Sequence, residues 1–298
     1  MNKTPDILCI GSVLWDMIGR APVAMAYGAD VPGRIARIPG GVALNIAMTL
    51  VRFGLRPTLL SALGRDSEGE ALAAACQALG LGTEYLYRSD DLATDRYMAI
   101  EGAGGLVAAI ADAHSLESAG AKILRPLRDG RLGSDENPWA GLIALDGNLT
   151  TQLLGEIAQS AAFAEADLRV APASPGKAER LVPLLAHPRA TFYVNLEEAG
   201  ILCHRKFATS RDAAAALLAR GAQRVLVTHG GQDASFARQG LAPITLTPPA
   251  VLVTRITGAG DTFMAAHIAA EADGMDEEAA LRAALDAAAA YVSGDIAT

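Results

Sequence analysis

The chain has 298 residues and a formal net charge of −8, which argues against a general nucleic-acid binder but not against one nucleotide held at a helix start. It is 51% apolar and 5% aromatic, so we expect small-residue helices packed on a sheet, as one large α/β domain or two smaller units, rather than a β-sandwich. Charge interrupts the apolar stretches, no leader-like apolar run follows Met1, and Cys9, Cys76 and Cys203 lack metal-ligand spacing; these features predict a cytoplasmic protein with free thiols and no membrane partner.

In chain order, residues 7–10 read as a buried strand ending in a turn at Gly11. Residues 15–38 are mixed and broken by Gly28, Pro32 and Gly33, with a short strand expected over 34–38. The apolar spacing of 43–53, closed by Gly54, predicts a helix. A strand over 58–63 and a helix over 67–79 follow. Residues 96–101 and 106–111 flank Gly102, Gly104 and Gly105 as a hairpin, and the polar stretch 125–138 reads as a loop. Beyond 140, strand-like runs (142–145, 168–171, 191–194, 225–227) alternate with helical ones (151–163, 178–185, 212–219). That rhythm predicts βαβ units, hence a doubly wound, mainly parallel sheet with helices on both faces.

The sharpest motif is Thr257-Gly258-Ala259-Gly260-Asp261, which follows the apolar run 251–253 and precedes a helix expected over 262–272. Small residues admit a ligand close to the backbone, and the free amides of a helix start form an anion hole. Asp261 would stand beside that hole as a proton acceptor. Alone, such a motif is more often a glycine-rich turn with a capping Asp. A second motif, Gly40-Gly41-Val42-Ala43-Leu44-Asn45 with Gly54 and Gly64 behind it, sets two glycines before a helix with Asn in its first turns.

In this order and separation the two motifs resemble the paired signatures of the ribokinase-like (PfkB-type) sugar and nucleoside kinases, and the likeness spans nearly the whole chain. The resemblance implies a doubly wound domain (residues 1–14, 39–92 and 112–298) and an inserted β lid (15–38 and 93–111), through which a homodimer would form. It implies Mg²⁺-dependent transfer from ATP to a hydroxyl, with Asp261 as catalytic base and Gly258, Ala259 and Gly260 stabilising the phosphoryl group. Asp16, Gly40, Gly41 and Asn45 would bind the acceptor. Asn195, Thr228, Gly230, Thr257 and Asp286 would contact the nucleotide, with Glu198 organising the metal. Short matches over 39–47, 106–112 and 145–150 are most similar to pseudouridine kinases, which adds Arg96, Asp112 and Asn148 on the acceptor side and makes the 5′-hydroxyl of pseudouridine the favoured acceptor. A ribose-, fructose- or ketogluconate-like sugar is the alternative.

The chain departs from the family pattern in four places. Arg255 stands where relatives carry an Asp that helps bind a monovalent cation, so little potassium activation is expected. Asp233 and Asp286 add negative charge near the expected nucleotide. Leu14 and Trp15 replace a polar segment, which suggests a larger or less polar acceptor than ribose. A non-catalytic binding protein on the same fold is the rival from another class. A dinucleotide oxidoreductase or a Walker-type NTPase would need glycine patterns that the sequence lacks.

Overall fold

Strand β1 (Ile7–Ile10) is completely buried, and its side chains alternate between two cores. Leu8 and Ile10 enter one and Ile7 and Cys9 the other, as a strand covered on both faces requires. The computed structural model describes residues 4–294. Two further strands leave this central one for a second, smaller sheet: β2 (Leu14–Arg20) and β3 (Arg34–Gly40). The main sheet resumes at β4 (Pro57–Leu60), parallel to β1. On the other side of β1 lie β9 (Leu142–Asp146), β10 (Asp167–Ala171), β11 (Ala190–Asn195) and β12 (Arg224–His229), all parallel. Antiparallel β13 (Gln232–Arg238) and β14 (Ile244–Leu246) close that edge.

Helices cover both faces. α1 (Val42–Arg52), α2 (Ser67–Ala78), α7 (Ala259–Ala272) and α8 (Glu277–Ser293) pack on the face that receives Ile7 and Cys9. α3 (His114–Ala119), α4 (Thr151–Gln159), α5 (Leu196–Cys203) and α6 (Ser210–Ala219) cover the other. The doubly wound architecture expected from the sequence is the one observed. Because the chain goes from β1 to β4 on one side and onward to β9 on the other, the strand order reverses at β1 and β9. A crevice at the carboxyl ends of the strands is the ordinary ligand position in such a sheet.

The second sheet has the order β3–β2–β7–β8, with β7 (Arg96–Gly102) and β8 (Gly105–Asp112) forming the expected hairpin. Its surface is apolar and open to solvent: Ile35 is 80% exposed, Leu106 62% and Ile110 69%. Among the described residues no helix is long and apolar enough to cross a membrane.

Several local expectations needed correction. The strand expected over 58–63 splits: β4 stays in the main sheet, while β5 (Ala62–Gly64) turns away to pair with β6 (Tyr87–Ser89). Ser61, between them, gives its hydroxyl hydrogen bond to Gly11 O. The helix expected over 151–163 ends at Gln159 and resumes as a 3₁₀ turn, and 178–185 lies in a 3₁₀ segment, Pro175–Leu184, with Pro183 inside it. The start of the loop expected over 125–138 is a 3₁₀ segment, Gly120–Leu127, that buries Pro126 and Leu127. The apolar run 251–253 is neither strand nor core; Leu252 is 82% exposed.

Candidate active site

The chain crosses the end of β1 into Ser12, and parallel pairing of Ile10 with Leu145 brings Asp146 beside it. The Asp146 carboxylate is wholly buried and accepts from the amides of Ser12 (2.8 Å), Ala43 (3.0 Å) and Asn148 (2.8 Å) and from the Ser12 hydroxyl (3.2 Å). One side chain therefore joins the ends of β1 and β9 to the start of α1. Burial still holds its pKa above the ordinary carboxylate range, against those hydrogen bonds.

Fixed in this way, α1 presents Asn45, whose Nδ2 donates to Asp261 Oδ2 at 3.0 Å. The two glycine motifs, 216 residues apart, meet at that bond. Gly258 adopts φ 90°, and a Cβ there would lie 2.5 Å from the Tyr291 hydroxyl, so the turn requires glycine. Tyr291 on α8 braces the same turn by donating its hydroxyl hydrogen to Thr257 O (2.9 Å). The Ala259 amide is used by Ile256 O, while those of Gly260 and Asp261 have no partner among the described residues. These two unpaired amides stand at the start of α7, where the positive end of the helix dipole favours an anion.

Asp261 opens onto the crevice from deep in the fold. Burial raises its pKa to about 7; the Asn45 hydrogen bond opposes the rise, and the negative charges of Asp146, Asp16 and Glu198 add to it. Such a carboxyl is poised to take a proton near neutrality. Asp16, on β2, is raised to about 6 by burial. A Cβ on Gly40 would lie 2.1 Å from Asp16 Oδ2, so Gly40 is what lets this carboxylate stand where it does.

On the far side of the crevice, Asn195 and Glu198 form a reciprocal capping box at the start of α5, with Glu198 N donating to Asn195 Oδ1 (2.9 Å) and Asn195 N to Glu198 Oε2 (2.8 Å). Glu198 is raised to about 7 by burial, against the Asn195 hydrogen bond. Thr228, at the end of β12, and Gly230 lie in the adjacent turn. Asp286 is exposed on α8, and Asp233 Oδ1 accepts from the Thr247 hydroxyl at 2.7 Å.

Arg96 and Asp112 are not brought to Asp16. They pair with each other and with Trp15 in the register, whereas Asp16 pairs with Ile38 and Tyr97, so a two-residue period sets them on the opposite face. Trp15 is only 6% exposed, donates to Glu68 O (3.0 Å) and lies under the Arg37 guanidinium; it is used in packing and says little about acceptor size. Asn148 is buried, with Nδ2 donating to Ser12 Oγ (3.0 Å) and Oδ1 accepting from Lys177. Sequence reasoning assigned no role to Ser12, Asp146, Lys177 or Tyr291. Arg255 is half-buried, stacks 3.9 Å over the Tyr291 ring and donates from Nε to Tyr291 O at 2.7 Å.

The pfkB family carbohydrate kinase model matches residues 4–295. The chain belongs to that family. A protein described as an uncharacterized sugar kinase, YeiI of Escherichia coli (strain K12), is 30% identical over 86% of this chain and 69% of its own length. A pseudouridine kinase of the same strain is 26% identical over 92% of this chain and 86% of its own. Among solved structures, an Arabidopsis thaliana ribokinase complexed with ribose and ATP superposes with a TM-score of 0.79 at 21% identity, covering 97% of this chain and 93% of that one. The chain is thus a phosphotransferase that acts on a hydroxyl of a small sugar-like or nucleoside substrate.

Proposed function

We propose that this kinase transfers the γ-phosphoryl group of ATP to the 5′-hydroxyl of pseudouridine or a closely similar nucleoside. The observation that carries the choice of a nucleoside is the face of the second sheet that bears Asp16. The register sets Ile38, Tyr97 and Ala111 on that face, and the Asp16 charge itself pushes the Tyr97 phenol up, after burial. A carboxylate for sugar hydroxyls beside an aromatic and apolar plate suits a ribosyl group carrying a ring. The pseudouridine kinases among the relatives, 26% and 24% identical, support the same reading.

In the step itself the acceptor hydroxyl gives its proton to Asp261 while its oxygen takes the phosphoryl group and ADP leaves. The amides of Gly260 and Asp261 receive the charge that develops on the phosphoryl oxygens. Glu198, at the start of α5, would offer a carboxylate to Mg²⁺ arriving on the nucleotide phosphates. Such an ion would neutralise negative charge on the nucleotide phosphates during transfer. Asn195, Thr228, Gly230 and Thr257 line the nucleotide side, with Asp286 at its outer edge.

We also place the protein in the cytoplasm, as its three free cysteines suit a reducing compartment, and read the second sheet (15–38 and 93–111) as a lid that excludes water. Its exposed apolar strands would pair a homodimer.

ADP release by the purified chain with Mg²⁺ and ATP tests the acceptor, offering pseudouridine, other nucleosides, ribose and fructose in turn. Turnover should be highest with pseudouridine, and Tyr97→Ala should raise its KM more than that of any free sugar. Turnover confined to free sugars would refute the nucleoside reading.

A further inference from the structure

Lysine is rarely buried without a carboxylate beside it. Lys177 is half-buried, and among the described residues it forms no ion pair; its recorded polar partner is the neutral Asn148 Oδ1. The neighbouring Arg180 differs: it pairs with Glu117 (2.8 Å) and donates to the carbonyls of Asn148 (3.2 Å) and Leu149 (3.4 Å). Burial lowers the Lys177 pKa, while the Asp146 charge opposes that change. The same carboxylate acts on Asp261, so lysine and base lie within electrostatic range of one group.

The local backbone also indicates a built position. Lys177 follows β10, which lies between β9 and β11, so its segment starts at the carboxyl ends of the strands, on the side where Asn148 and Asn195 stand, and its side chain reaches Asn148. The approach runs through Ala173, a non-glycine residue at φ 70°. A Cβ on Gly147 would meet Pro172 O at 2.3 Å. A non-glycine residue at positive φ, such as Ala173, persists where the surroundings impose it and is common at functional sites. The largest charges bearing on Asp261 are negative (Asp146, Asp16 and Glu198), yet a phosphoryl group must be brought among them.

We infer that Lys177 is the side chain that holds the transferring phosphoryl group, its ammonium swinging from Asn148 Oδ1 to a γ-phosphate oxygen and remaining protonated throughout. The inference rests on the kinase assignment and not on the identity of the acceptor, so it can be tested with nucleotide alone. Calorimetric titration of the full chain with Mg²⁺ would compare ADP with β,γ-imido-ATP for the wild type, Lys177→Met and Lys177→Arg. We expect Lys177→Met to keep its ADP affinity within about twofold and to lose about tenfold or more for the triphosphate analogue, with Lys177→Arg recovering part of the loss. Its melting temperature should change little, since the lysine forms no ion pair among the described residues and its polar partner is a neutral amide. Equal loss of both nucleotides, an unchanged triphosphate affinity, or a fall of several degrees in melting temperature would each overturn the role. Failure of the wild type to bind either nucleotide would refute the kinase assignment together with it.

Discussion

Replacing Asp261 by Asn should separate activity from stability, because the property that makes this carboxyl a base also costs the fold energy. Its pKa is raised from 3.8 to about 7 by burial and neighbouring negative charge. A change of that size corresponds to about 4 kcal/mol of preference for the protonated form. Asp261 opens onto the crevice, so solvent screening reduces the figure to ~2 kcal/mol. The native state holds the proton more tightly than the unfolded chain, so this contribution is fully present below the ordinary value and is lost as pH rises through about 7. Asn cannot ionise and can still accept the Asn45 hydrogen bond through its carbonyl oxygen. Asp261→Asn should therefore match the wild type in stability at pH 4 and exceed it by ~2 kcal/mol at pH 8, roughly 5 °C in melting temperature. Its kcat should fall by about 10²–10⁴, the range for losing a general base. Wild-type kcat/KM should rise with pH and level off above about 7. Urea denaturation at the two pH values and coupled ADP-release kinetics provide the readings. A variant within tenfold of wild-type kcat would remove Asp261 as the base, and a stability difference independent of pH would refute the electrostatic argument.

Gly40→Ala would drive a methyl group into Asp16, whose Oδ2 lies 2.1 Å from the ideal Cβ position. Steady-state kinetics should show acceptor KM rising about tenfold or more with ATP KM nearly unchanged, whereas equal effects on both substrates would contradict the assignment of Asp16. Arg255 already supplies a cation beside Tyr291, so raising KCl to about 100 mM at constant ionic strength should change the rate less than about twofold; tenfold activation would sink that reading. Ile110, 69% exposed on β8, should lie in a dimer contact. Sedimentation should find a dimer for the wild type and a monomer for Ile110→Glu, and a monomeric wild type would refute lid pairing.

Legibility in the sequence followed the range of the interaction. The start of α7 was readable because its chemistry is local: Gly258 supplies the left-handed turn and three residues later Asp261 stands at the helix start. The hairpin of β7 and β8 was readable from its glycines for the same reason. The helix α5 was missed although its signal was present, since Asn195 and Glu198 at a spacing of three are a capping box as much as a metal and phosphate element. The misplacement of Arg96 and Asp112 came from register, which no local pattern fixes: one position along a strand turns a side chain to the other face.

Asp146 and Lys177 belong to a third kind, in which function arises from which strands are neighbours. The segment 145–150 points to Asn148, but nothing local gives Asp146 itself a role beyond a strand end. It becomes the organiser of the site only when β9 lies beside β1 and its carboxylate meets the amides of Ser12 and Ala43. The same holds for Lys177, which reaches Asn148 because β10 follows β9 in the sheet. Read together, the hydrogen bonds run from Lys177 through Asn148 and Ser12 to Asp146, and from the start of α1 through Asn45 to Asp261. The lysine expected to hold the phosphoryl group and the carboxylate expected to take the proton are therefore anchored to one buried side chain. A disturbance at Asp146 would reach both Asn148 and the start of α1, and its four hydrogen bonds offset part of the cost of burying its charge.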